Sequence, residues 1–178
     1  MWLVVGLGNP GAEFSKTRHN AGWLAVDFFA HAAGANDWRF DKKYNAEICD
    51  GLIDGEKVFF VKPQTFMNLS GESVQAVAAF YKISHEHTIV VHDDLDFPFG
   101  TTRHQFDRNA AGHNGVQNII DRLGTKAFHR IRIGIGAEHE DGREFVLDTF
   151  SKEEIKNLKP IFTAAEKTIV DIIVGKAS

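Results

Sequence analysis

Short apolar runs alternate along this chain with stretches of helical spacing, and polar residues collect between them. Residues 2–7 form an apolar run ending in glycines, as a buried strand should. Residues 21–33 carry Trp23, Leu24, Val26, Phe28, Phe29 and Ala32 at helical spacing, and Gly34 can close that helix. Residues 44–53 and 57–62 flank Asp54-Gly55, which predicts a hairpin. Residues 70–82 read as a helix with Val74, Val77, Ala78 and Tyr81 on one stripe. Residues 88–91 are a β-branched strand and 101–106 a short one. Val116, Ile119, Ile120 and Leu123 repeat at helical spacing. Residues 130–135 alternate as a strand with one wetter face. Ser151-Lys152-Glu153-Glu154 is a capping box opening a helix, and Pro160 predicts the start of another running to about residue 174. Helices interleave with strands, which predicts an α/β protein with a mixed sheet covered on both faces. No repeat, low-complexity tract or linker divides residues 1–178, so one domain is expected.

Three polar clusters each follow an apolar, strand-like run. Gly8-Asn9-Pro10-Gly11 follows the first, Thr65-Phe66-Met67-Asn68 the run ending at Lys62, and His92-Asp93-Asp94 the run ending at Val91. If those strands are parallel neighbours, all three clusters crowd the sheet edge where open α/β sheets bind ligands. His19, ten residues beyond Asn9, then has asparagines and an aspartate around it.

Composition narrows the class. A chain of 178 residues that is 43% hydrophobic can bury a sizeable core. No apolar stretch reaches the length of a membrane span, and residues 2–5 enter a strand without a signal peptide's basic start. With Cys49 as the single cysteine, in an alternating run that packs it inside, a cytoplasmic protein is expected. The net charge of −4 argues against wholesale binding of polyanions. Yet residues 101–136 hold Arg103, Arg108, Arg122, Lys126, Arg130 and Arg132 against Asp107 and Asp121, and an acidic section follows at 137–154.

Gly6-Leu7-Gly8-Asn9-Pro10-Gly11 spells G-x-G-x-x-G after a strand. A dinucleotide turn needs a helix to open at the glycines, and a ribose-binding acid at the end of a second strand. Here Pro10 and Gly11 continue the loop, and Asp27 falls inside the predicted helix. No Gly-Lys-Ser/Thr follows, which excludes a P-loop. The surviving reading is a tight loop that presents Asn9 and leads to His19.

Histidine can act as a general base near neutral pH, and a carboxylate that accepts its other N–H fixes the tautomer. Asp93 or Asp96 could supply that carboxylate. The surrounding loops offer amides rather than further carboxylates, so no metal is expected. No Gly-x-Ser-x-Gly elbow exists, and Ser70 is explained as a helix N-cap, so water activated by His19 is the favoured attacking group. Asn9, Asn68 and Asn114 would each be an ordinary cap or turn residue alone. Together around a cleft, uncharged amides that both donate and accept suit peptide amides or ester carbonyls. Phe66 and Met67 add an apolar platform.

Gly6 to Gly11, Thr17-Arg18-His19-Asn20-Ala21-Gly22, PQTFMNLSG at 63–71, HDDLD at 92–96, GHNG at 112–115 and FHRIRIGIG at 128–136 together resemble bacterial peptidyl-tRNA hydrolase, in order over nearly the whole chain. The resemblance implies a single-domain α/β/α sandwich around a twisted mixed β-sheet, usually monomeric. It implies hydrolysis of the ester joining a stalled peptide to the 3′ ribose of tRNA, without cofactor. His19 matches the catalytic base and Asp93 its support. Asn9, Asn68 and Asn114 match substrate-binding asparagines, Asn9 at the position associated with telling blocked from free aminoacyl ends. Phe66 and Met67 match the apolar wall near the ester, and Phe14 a position at the tRNA end usually held by tyrosine. Arg103, Arg108, Arg130 and Arg132 are the candidates for phosphates of the acceptor stem, Arg130 and Arg132 sharing one strand face. Three departures stand out: Phe14 lacks the tyrosine hydroxyl, Arg108-Asn109-Ala110-Ala111 replaces a glycine-rich run, and an acidic turn at 138–141 replaces basic residues. The chain also ends short of the usual helical tail. A binding module akin to the chloroplast splicing relatives of this fold, and a nucleotide-dependent enzyme built on the glycine turn, are the rival readings.

Overall fold

The computed structural model describes residues 1–136 and 142–176. A seven-stranded sheet forms the middle layer. Its strands are β1 (Trp2–Gly6), β2 (Arg39–Asp41), β3 (Ala46–Ile53), β4 (Glu56–Pro63), β5 (Thr88–Asp94), β6 (Thr102–Phe106) and β7 (His129–Gly134). They are ordered β2-β3-β4-β1-β5-β7-β6. β1 lies between β4 and β5, parallel to both, and β5 pairs parallel with β7. β2–β3, β3–β4 and β6–β7 are antiparallel, and β3–β4 is a hairpin closing through Asp54 and Gly55, both at positive φ as an inward-twisting two-residue turn requires.

The helices are α1 (Ala21–Ala32), α2 (Ser70–Tyr81), α3 (Asn114–Leu123), α4 (Gly142–Leu147) and α5 (Lys152–Ile173). One face of the sheet, through Val4, Phe60, Ile89 and Ile131, packs against α1, α4 and α5. The other, through Leu3, Val5, Val61 and Val90, packs against α2 and α3. Side chains alternate in strands, so a fully buried β1 must be apolar at every position, as it is. The expected sandwich and its mixed sheet are therefore present.

Three elements differ from the sequence pattern. β5 runs on to Asp94, so His92, Asp93 and Asp94 are strand residues rather than a loop after the strand. The ladder to β7 carries them, pairing Asp93 with Ile133 and Asp94 with Gly134. Pro160 starts no new helix but sits inside α5. A mid-helix proline costs about 3 kcal/mol. Leu158, Ile161, Phe162, Ala165 and Ile169 continue one buried stripe past it, and each large apolar side chain buried returns about 1.5–3 kcal/mol. Packing therefore holds the axis. Ser70 does not cap α2; its hydroxyl donates back to the Met67 carbonyl at 2.8 Å. β2 and α4 carried no sequence signal. The capping box of α5 forms as expected, with Ser151 and Glu154 reciprocally bonded.

Close approach of α1 to the sheet sets the position of everything that follows. Gly22 stands where a Cβ would run into the Val91 carbonyl and the Leu7 backbone. The helix N-terminus can therefore sit directly on the carboxyl ends of β1 and β5.

Candidate active site

Because β4, β1 and β5 are parallel neighbours, the loops after β1 and β4 and the last residues of β5 meet at one edge. The loop after β1 is held from three sides. The Trp23 indole lies flat against Gly8, where a Cβ would stand 2.7 Å from Cγ. The fully buried Asn20 accepts from the Asn9 N–H at 2.9 Å and donates to the Asn9 carbonyl at 3.0 Å. The Asn9 side chain accepts through Oδ1 from the Met67 N–H at 2.8 Å. That last bond fixes the amide's orientation and leaves its Nδ2 as a donor without a partner among the described residues.

His19 sits in the 3-10 turn Arg18–Asn20 that leads into α1. Its neighbours tie that turn down: Thr17 bridges Thr149, and the Arg18 N–H donates to the Asp148 carbonyl at 3.0 Å. The Arg18 guanidinium pairs with Glu154 at 2.9 Å and lies 4.2 Å above the Phe145 ring. The His19 Nδ1 reaches both carboxylate oxygens of Asp93, at 3.0 and 2.9 Å. Burial opposes protonation of the imidazole, but the charge and hydrogen bond of Asp93 outweigh it and hold the pKa above the ordinary histidine value. Asp93 is 2% exposed. Burial alone would favour its neutral form, yet His19 and His113 keep the carboxyl well below the usual carboxylate range. Nε2 of His19 has no partner among the described residues, and the ring borders a cavity of about 440 Å³. Asp93, Asp94, His113, Asn114 and, from α4, Arg143 and Val146 border the same space.

His113 was not singled out from sequence, although it lies in the quoted GHNG run. It caps α3, accepting through Nδ1 from the Val116 N–H at 3.3 Å, and its Nε2 lies 3.0 Å from Asp93 Oδ1. Histidine is not a common N-cap residue, and that oddity was the available signal. Asn20 was likewise passed over, as was α4.

The structure brings the expected residues together unequally. His19 and Asp93 are in direct contact and share the cavity with Asn114, while Asn9 is linked to them through Asn20, the residue after His19. Met67 is buried, its sulfur facing Gly115, next to Asn114 at the first turn of α3. Asn68 and Phe66 are exposed beside it, in and just before the short turn Met67–Leu69. Phe14 is half-buried on the turn Ala12–Phe14 between Asn9 and His19. Asp96 does not serve His19; it faces Arg132 at 3.6 Å.

The wetter face expected on β7 is not there. Arg130 and Arg132 do share one face, but they are 1% and 6% exposed. Arg132 is ion-paired with Asp94 and lies 4.6 Å above Phe97, while Arg130 donates to Gln105 at 3.2 Å. The Asp94 carboxylate holds Arg132 and Gln105 of edge strand β6 holds Arg130, so neither guanidinium is presented to solvent. Arg103 and Arg108 are exposed. The acidic turn at 138–141 lies outside the described residues. Cys49 is buried as expected, and burial pushes its thiol up to about 12, which removes it as a nucleophile.

His19, Asp93 and His113 place their side-chain nitrogens and oxygens within 4.8 Å of one another. A proton on each facing ring nitrogen would be directed at the carboxylate, which makes the trio a hydrogen-bonded relay. Such a relay, with Nε2 of His19 unpartnered among the described residues and Asn114 bordering the same cavity, can deprotonate water beside a carbonyl.

Residues 3–177 match the family model described as peptidyl-tRNA hydrolase. A peptidyl-tRNA hydrolase from Desulfitobacterium hafniense (strain Y51) is 42% identical over 171 residues, covering 95% of this chain and 91% of the relative. One from Citrifermentans bemidjiense is 46% identical over 157 residues, covering 88% and 82%. A crystal structure of peptidyl-tRNA hydrolase from Acinetobacter baumannii superposes with a TM-score of 0.91 at 34% identity, over 99% of this chain and 90% of that one.

Proposed function

The chain belongs to the peptidyl-tRNA hydrolase family and hydrolyses peptidyl-tRNA, and from that premise we propose that His19 is the general base of the reaction. The observation that carries this is the His19 Nδ1 held on the buried Asp93 carboxylate while the ring borders the cavity. Nε2 takes a proton from water, the oxygen attacks the ester carbonyl, and Asp93 stabilises the imidazolium that forms. The proton then passes to the leaving 3′ oxygen of the ribose. The step calls for no cofactor.

Asn9 is the proposed amide donor to the developing oxyanion, with Asn68 and Asn114 holding the peptide through its backbone. The Met67 bond to Oδ1, which leaves Asn9 Nδ2 as a donor without a partner among the described residues, supports the first role. Phe66 and Met67 are the proposed apolar wall, and Phe14 the contact to the tRNA end. The proposed protein is a cytoplasmic monomer; separately, no helix among the described residues is long and apolar enough to cross a membrane.

Incubation with a blocked peptidyl-tRNA and with free aminoacyl-tRNA tests the reading. Release from the first and sparing of the second is expected, and Asn9→Ala should lose about 3–4 kcal/mol of barrier lowering, seen as a drop in kcat. Equal cleavage of both substrates by the wild type would remove Asn9 from the discriminating role.

Burial of Arg130 and Arg132 moves the proposed phosphate contacts to Arg103 and Arg108. Replacing either with alanine should raise KM, most at low salt, and reduce the salt slope of log KM by about one. Parallel salt series for wild type and variants read this directly; unchanged slopes for both would place the RNA elsewhere.

A further inference from the structure

Asp93 serves two imidazoles at once. Its Oδ1 receives His19 Nδ1 and His113 Nε2, each at 3.0 Å, while Oδ2 receives His19 alone at 2.9 Å. The His113 tautomer is set by its other nitrogen. Nδ1 accepts the Val116 N–H that caps α3, so the proton of the neutral ring lies on Nε2 and is donated to Asp93. The two rings stand 5.2 Å apart, and His92 packs edge-on to His113 from beneath, its own Nδ1 bonded to the Asp93 carbonyl. A carboxylate already serving one donor stabilises a second, cationic one less.

We propose that His113 is a positioning residue that competes with His19 for Asp93 and so sets the pH at which the base becomes available. The inference rests on the reading of His19 as base. Of the other titratable and charged groups around the pair, His92 packs on His113, Arg18 and Glu154 pair behind the His19 turn, Arg132 joins Asp94 and Asp96 along β5 and β7, and Arg143 borders the cavity from α4. With the His113 donor removed, Asp93 turns its full acceptor capacity to His19. The imidazolium is then favoured, and His19 keeps its proton to higher pH.

His113 also caps a helix, and the two roles can be separated. Asparagine and serine are better caps than histidine, and both are too short to reach Asp93. His113→Asn and His113→Ser are therefore expected to keep the thermal midpoint of the wild type. The acid limb of kcat/KM should move up by about one pH unit. NMR titration of the His19 ring, without substrate, should show the same upward movement. A His19 titration unmoved in either folded variant overturns the proposal and leaves His113 a cap alone. If the ring titration moves while the rate profile does not, it is the base role of His19 that fails.

Discussion

Replacing His19 with alanine is expected to leave a folded protein whose kcat has fallen on the order of 10²–10⁴-fold. The fold survives because the turn holding His19 is anchored by its neighbours. Thr17 bridges Thr149, Arg18 pairs with Glu154, and Asn20 grips the Asn9 backbone; among the described residues the imidazole itself bonds only Asp93. Asp93 keeps one donor, from His113, so its buried charge is not stranded. KM should change little, since the ring positions water rather than substrate. Single-turnover release of peptide, with a thermal melt on the same preparation, measures both halves. Turnover near the wild-type rate would remove the mechanism proposed here.

Much of this arrangement was legible in the sequence for a physical reason. Parallel strands buried on both faces read as unbroken apolar runs, and the ligand edge begins where they stop. The runs ending at Leu7, Lys62 and Val91 pointed to Asn9, Met67 and Asp93, and the β4-β1-β5 order brings those three together. The glycine motif was separable from a dinucleotide turn because a helix must open at the glycines, and here a 3-10 turn does so instead.

What the sequence hid were charges whose partners come from distant segments. Alternation of arginine and isoleucine in β7 looks the same whether the arginines meet water or carboxylates. Only the register of β5 against β7 puts Asp94 next to Arg132, and only β6 closes over Arg130. His113 was hidden likewise, since its link to Asp93 spans twenty residues. Pro160 misled for the converse reason: a local rule lost to a long apolar stripe.

Asp93→Asn should be nearly as damaging as loss of His19, and the two rings explain why. An asparagine places one carbonyl oxygen and one NH2 group where two accepting oxygens stood. His113 cannot adapt, because its Nδ1 must keep accepting the Val116 N–H and its Nε2 must keep its proton. The amide oxygen therefore takes the place of Oδ1, which both rings share, and the NH2 group faces His19 Nδ1 from the place of Oδ2. His19 relieves the clash of donors by moving its own proton to Nε2, the nitrogen without a partner among the described residues. A ring protonated there cannot accept from water, and kcat should fall about 10³–10⁴-fold with the fold retained. The pH profile moves in a definite direction as well. In the wild type, Asp93 raises the His19 pKa above 6.5 against the opposing effect of burial. Without that charge burial prevails, so the acid limb of the variant should shift to lower pH while its plateau drops. A pH–rate series on the purified variant reads both features, and a plateau lost with the limb moved upward would contradict this account of Asp93.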